Sequence, residues 1–196
     1  LTWSSLSCGG IVIVISSLLL ISCDDENYTP KPKGYFRIDL PRKSYHKIVK
    51  DCPFSFEVPD YANIEQDPRN IDNKCWFNIN FTSLNASIYL SYKTVNNDLN
   101  IFLEDSRTLA FKHTAKAIDI QQKIINNPDR NMFGLIYDIK GDAASDYQFH
   151  LTDSTHHFLR GSLYFNNAPN QDSIQPVLDF IKKDIEHLFE TFEWKN

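Results

Sequence analysis

From residue 35 onward, apolar and polar residues alternate in short runs, and two longer windows switch to a helical spacing. Phe36-Arg37-Ile38-Asp39-Leu40 alternates and stops at Pro41, which predicts a first or edge strand. Phe54-Ser55-Phe56-Glu57-Val58 repeats the pattern before Pro59. Residues 76–81 and 86–92 form the clearest hairpin, with 82–85 as its turn. Phe77, Ile79 and Phe81 share one face of the first arm, and Ile88, Leu90 and Tyr92 share one face of the second. Between residues 97 and 117, Leu99, Phe102, Leu103, Ser106, Leu109, Ala110, His113 and Ala117 fall on one helical face. Four further strands are expected at 118–125, 132–140, 147–152 and 157–165, separated by turn-forming clusters.

A second helix is predicted over 173–194, with Asp172 or Ser173 as its N-cap and Pro176 within its first turn. Val177, Ile181, Ile185, Leu188, Phe189 and Phe192 make its apolar stripe, leaving Lys182, Lys183, Asp184, Glu186 and Glu190 on the wet side. The expected fold class is therefore α+β: a mainly antiparallel sheet with two long helices packed on it, in a single domain. The aromatic share of 13% supports a folded chain of half-buried strands. A net charge of -5, without long runs of either sign, argues against a nucleic-acid partner.

The opening segment is different. Leu1 to Ser22 contains no ionisable Asp, Glu, Lys, Arg or His, and Ile11 to Leu20 is almost wholly apolar. A bilayer span needs about 20 apolar residues, so this run suits a signal-peptide core better than an anchor that is never cut. It ends on Leu20-Ile21-Ser22-Cys23, which resembles the bacterial lipobox. The resemblance implies cleavage before Cys23 and lipid on its thiol, although no Lys or Arg leads the run and Leu1 stands where Met is expected. Two or three acyl chains anchor a protein stably where one does not. The organisation expected is a signal peptide (1–22), a lipidated N-terminus and tether (23–34) and a folded domain (35–196). Asp24, Asp25 and Glu26 resemble lipoprotein sorting signals, and equally keep a tether soluble.

Cys8 leaves with the signal peptide and Cys23 is lipidated, so Cys52 and Cys75 remain as an even pair in an oxidising compartment. A disulfide between them is predicted, with two free thiols as the alternative.

Catalytic motifs are hard to find. The chain has no His-Glu-x-x-His, CxxC, glycine-rich phosphate loop or Gly-x-Ser-x-Gly elbow. His156 and His157 beside Asp153, with His150 on the preceding strand, are the best metal candidates. Neighbours on a strand point to opposite faces, so no metal site is expected. Ser106 and His113 are candidates to line a pocket, without a readable third member of a triad. Arg107 and Glu104 are spaced to pair on the helix surface. Arg107, Arg160, His156, His157 and Trp194 are candidate interface positions.

Several ordered stretches carry a family resemblance: Gly34-Tyr35-Phe36-Arg37-Ile38-Asp39-Leu40-Pro41, Cys52-Pro53-Phe54-Ser55-Phe56, Cys75-Trp76-Phe77-Asn78-Ile79, Ile88-Tyr89-Leu90-Ser91-Tyr92-Lys93, Leu103-Glu104-Asp105-Ser106-Arg107-Thr108-Leu109-Ala110, Leu151-Thr152-Asp153-Ser154 and His157-Phe158-Leu159-Arg160-Gly161. Together they resemble the gliding-motility lipoprotein GldD family of Bacteroidota. The resemblance implies an accessory protein of gliding and the linked type IX secretion system, with other proteins of that machinery as partners and the outer membrane as its location. It implies neither catalysis nor a cofactor. Asp153-Ser154-Thr155 and Asp172-Ser173-Ile174 also resemble the short pattern that receives O-glycans in exported proteins of that phylum. The competing expectation is an envelope enzyme or ligand-binding lipoprotein acting on glycan or peptide.

Overall fold

The computed structural model describes residues 38–195, so the expected signal peptide, the tether and Cys23 lie outside the described residues. In chain order the elements are β1 (Tyr45–Lys47), β2 (Phe54–Ser55), β3 (Glu57–Pro59), β4 (Asn63–Gln66), β5 (Phe77–Phe81), β6 (Ala86–Thr94), α1 (Leu99–Phe111), β7 (Ala117–Asn127), β8 (Met132–Gly141), β9 (Tyr147–Thr152), β10 (His157–Phe165), α2 (Gln171–Thr191) and β11 (Glu193–Trp194). Seven of the strands form one sheet in the order β4-β5-β6-β10-β9-β8-β7, every pairing antiparallel. Two small ladders, β1 with β3 and β2 with β11, close over it. The fold is α+β with a mostly antiparallel sheet.

The alternation of residues decides which face of the sheet each helix covers. Phe77, Ile79, Phe81, Ile88, Leu90, Phe149, Leu151, Leu159 and Leu163 join one core with Val177, Leu178, Ile181, Ile185 and Leu188 of α2. Each fully buried side chain of this size contributes roughly 1.5–3 kcal/mol by leaving water. Gly161 is needed here: the Phe149 ring lies over it, and a Cβ at that position would stand 2.2 Å from a ring carbon. Phe54 and Phe56 extend the core towards Phe192 through parallel ring stacks 6.0 and 6.1 Å apart. A disulfide joins Cys52 to Cys75, with Cα atoms 5.6 Å apart. A loop of this length is worth about 3 kcal/mol on the chain-entropy account.

Several boundaries differ from the sequence reading. The first helix is shorter than 97–117: α1 ends at Phe111, Lys112–Ala115 tightens into a 3-10 turn, and β7 starts at Ala117. The second helix starts at Gln171, and its cap is Asn170, whose side chain accepts from the Ser173 N–H, not Asp172 or Ser173. Pro176 consequently falls in the second turn. At the far end Phe192 turns extended, and Trp194 pairs with Phe54 in a strand. The 54–58 run splits into β2 and β3 because Phe54, Ser55 and Phe56 are all buried and the two pieces pair with different partners. Ile38–Leu40 form no strand, and β1 and β4 were not anticipated.

The largest difference in α2 concerns charge. Asp184 is buried, and accepts from the Lys43 ammonium, from Tyr45 Oη at 2.9 Å and from Tyr61 Oη at 2.6 Å. Lys182 is likewise drawn in, donating to Asp138 of β8 at 2.8 Å. Burial, then the Asp184 bond, pushes both tyrosine hydroxyls well above their ordinary range. One carboxylate thus fastens the segment before β4 to α2. Replacing Asp184 with Ala removes the acceptor shared by a half-buried lysine and two half-buried tyrosine hydroxyls, and the expected cost is about 2 kcal/mol. Urea unfolding followed by circular dichroism reads this as a lower midpoint with unchanged slope.

Candidate functional site

The opposite face of the sheet carries a small apolar cluster at β8 and a buried polar stretch along β9 and β10. On β9, Tyr147, Phe149 and Leu151 face α2, and the alternate residues Gln148, His150 and Thr152 face α1; all six are buried. On β10 the same face carries Arg160, paired in register with His150, and Ser162, paired with Gln148. Ser91 of β6 lies opposite Arg160 on its other side. Of α1, Ser106 and Ala110 are buried: Ala110 packs with Tyr137 and Ile139 of β8 in a small second core, while Ser106 meets the polar residues of β9. Ser106 Oγ lies 3.2 Å from His150 Nδ1, and the Phe158 ring stacks on His150 at 5.5 Å.

Beside α1 this face opens into a groove of two hollows, of about 670 and 420 Å³. They meet at Trp76, Ser91 and Arg160. The Trp76 ring is held at the junction by its Nε1–H, which donates to the Tyr92 carbonyl at 2.6 Å. Tyr89 and Tyr164, edge to face at 5.5 Å, line the larger hollow, and Phe102 with Lys93 over its ring lines the smaller.

Arg160 is the central group. Its Nη2 donates to Gln148 Oε1 at 2.6 Å, while its Nε, Ser162 Oγ and Gln148 Nε2 are buried without a hydrogen-bond partner. Among the described residues Arg160 makes no ion pair, and burial lowers its pKa. Asp67, at one rim, is occupied by Arg69 at 3.3 Å and by Asn70 at 2.9 Å. With Asp67 paired to Arg69, the charges of Arg160, Lys93 and Lys112 outweigh Asp105 around the groove, so its field is positive.

The residues singled out by sequence do not gather in one place. Ser106 and Arg160 are in or under the groove. His113, in the 3-10 turn, is half-buried, and its pKa is lowered by burial and then by the charge of Arg160. The imidazole that meets Ser106 is His150 instead, a contact across 44 residues that no local spacing could announce. Arg107 is exposed, 3.4 Å from Glu104. His157 is on the other face, accepting or donating through Nδ1 with Tyr92 Oη at 2.7 Å and stacking on Trp194 at 5.0 Å. His156 is in the turn, where Asp153 accepts from the backbone N–H groups of Thr155, His156 and His157. His150 and His157 therefore face opposite ways. Burial tends to raise Asp153, but those three N–H bonds and the Thr155 hydroxyl outweigh it and hold the carboxyl at about 2.

Burial, with the Arg160 charge adding to it, lowers His150 to about 4. A histidine held neutral in the fold but free to protonate when unfolded contributes stability that is fully present above about pH 6.5 and lost as pH falls towards 4. The loss attributable to it is on the order of 3 kcal/mol. Thermal or urea melts of wild type and His150→Gln between pH 7 and about pH 4 should show a visibly flatter acid limb in the variant.

In fold, the domain is of the kind seen in cyanobacterial PsbP (CyanoP) from Synechocystis sp. PCC 6803, whose solution structure matches with a TM-score of 0.50 at 7% identity, covering 79% of this chain and 95% of that one. That likeness is one of fold. No curated protein sequence matches the chain. The family model for gliding motility lipoprotein GldD matches residues 25–194, and the chain belongs to that family. Membership makes it a lipoprotein of the cell envelope with an accessory role in gliding motility. None of the described helices is long and apolar enough to cross a membrane.

Proposed function

We propose that this lipoprotein is held at the outer membrane by lipid on Cys23 and serves gliding and the linked type IX secretion system by binding another protein of that machinery through the basic groove. The observation that carries this reading is Arg160: a largely buried guanidinium, without an acidic partner among the described residues, at the junction of two aromatic-lined hollows. Desolvated arginine beside aromatic rings is the composition of an interface hot spot. A lipid anchor favours such an interface, because tethering raises the local concentration of the domain near membrane partners and lets a modest affinity suffice.

A second reading, a hydrolase or ligand-binding lipoprotein for glycan or peptide, draws on the Ser106 and His150 pair at the edge of the groove. A serine nucleophile needs a base poised to take its proton and a group that orients that base. His150 is held neutral, as a base must be, but the charge its environment supplies is that of Arg160, which opposes formation of imidazolium.

Complementation of a strain lacking this protein separates the two. Cys23→Ala and Arg160→Gln should each abolish most colony spreading and adhesin export at normal protein levels, while Ser106→Ala should retain them. Loss of function in Ser106→Ala, with Arg160→Gln unimpaired, would reverse the assignment in favour of the enzyme.

A further inference from the structure

The groove also specifies the chemistry of what it binds. Resting on the interface reading above, we infer that it takes an extended, acidic peptide segment of the partner, with an Asp or Glu carboxylate seated on Arg160 and the flanking residues lying along the two hollows.

Four observations converge on this occupant. The first is the unpaired donor set: among the described residues Arg160 has a single neutral acceptor, Gln148 Oε1, and its Nε has none. Gln148 fixes the guanidinium from below, so the fork is held in place before any ligand arrives. The second is Ser162, 1% exposed and lining the larger hollow next to Arg160, whose hydroxyl lacks a partner. A buried polar atom left unsatisfied beside an opening calls for a ligand group that completes it. The third is charge: Asp67, an acid of the larger hollow, is already occupied by Arg69 and Asn70, which leaves Asp105 against Arg160, Lys93 and Lys112 and favours an anion. The fourth is shape. Arg160 lies where the two hollows meet and not at a closed end, so its ligand continues on both sides of the anionic group. An extended backbone does this, with side chains against Tyr89 and Tyr164 on one side and Phe102 on the other.

Charge-assisted, bidentate pairing of arginine with a carboxylate gives both strength and orientation. The register offers a direct way to occupy the site from within. Ser91 faces Arg160 across the β6–β10 pairing. Cross-strand neighbours on one face have Cβ atoms about 5 Å apart, so an aspartate at position 91 sets a negative charge beside Arg160 at the junction of the two hollows.

The test immobilises the full chain, purified in detergent, and selects a phage-displayed library of random peptides on wild type, Arg160→Gln and Ser91→Asp. On wild type, Asp and Glu should be enriched about tenfold over the input pool, and the enrichment should vanish on both variants. Ser91→Asp keeps the result readable should Arg160→Gln fold poorly, because it sets a negative charge beside Arg160 and its thermal midpoint should be no lower than that of wild type. Enrichment of neutral peptides, or acidic enrichment that persists on Ser91→Asp, overturns the inference. Parallel titrations with oligogalacturonate and with inorganic phosphate, read by tryptophan fluorescence, cover the other anions. Saturable binding of either, lost in Arg160→Gln and unaccompanied by acidic peptide enrichment, assigns the site to that ligand and also overturns the inference. If Arg160→Gln abolishes spreading in cells while acidic peptides are not selected, the interface reading stands and only its chemistry falls. If Arg160→Gln leaves spreading intact, the interface reading falls as well.

Discussion

The two-faced burial of β9 is the constraint on which the rest depends. A strand at the middle of a sheet that is covered on both sides normally carries apolar residues on both faces, and here one of the faces is Gln148, His150 and Thr152. Each polar group removed from water must find a partner or remain a cost. His150 meets Ser106, and Thr152 Oγ1 donates to the His157 carbonyl at 2.7 Å. Gln148 accepts from Arg160 and still has an unpaired amide nitrogen. The helix α1 takes its apolar contact from Tyr137, Ile139 and Ala143 through Ala110, gains little along the polar stretch and leaves part of it uncovered. The groove is what remains. Folding stability comes from the other side, where α2 closes a continuous aromatic and aliphatic core.

The strand pattern was legible because period-two alternation is a local signal. The β5–β6 hairpin could be read from its apolar positions, and its turn is completed by Asn85 in the left-handed conformation at φ 52°, which asparagine tolerates better than most residues. The strands β8, β9 and β10 were bounded within a residue or so. Position 184 could have been read better. It follows Ile181 by three residues and precedes Leu188 by four, so helical spacing puts it on the buried stripe; its charge suggested solvent, and only Lys43, Tyr45 and Tyr61, more than a hundred residues away in sequence, reverse that.

The groove was legible only in fragments. Arg160 drew notice as a residue type common in interfaces, and Ser106 as a polar residue on an apolar helical face. Nothing along the chain indicated that the two share one side of a sheet, that Gln148 lies beneath the guanidinium, or that Ser106 meets His150 and not His113. Those relations arise from the β9–β10 register and from the placing of α1. Local spacing encodes elements, whereas a site assembled across strands requires the register.

On the reading proposed here, lipid attachment and the groove belong to one physical scheme: the anchor limits where the domain can be, and the groove limits what it accepts. The most direct measurement is photo-crosslinking in living, gliding cells from a benzophenone amino acid placed in turn at Tyr89, at Tyr164 and, as a control, at the exposed Ile124 of β7. Adducts to a single envelope protein from Tyr89 and Tyr164, absent from Ile124 and lost when Ser91→Asp is added, are the predicted result. Adducts that form equally from Ile124, or that survive Ser91→Asp, would contradict the groove as the working surface.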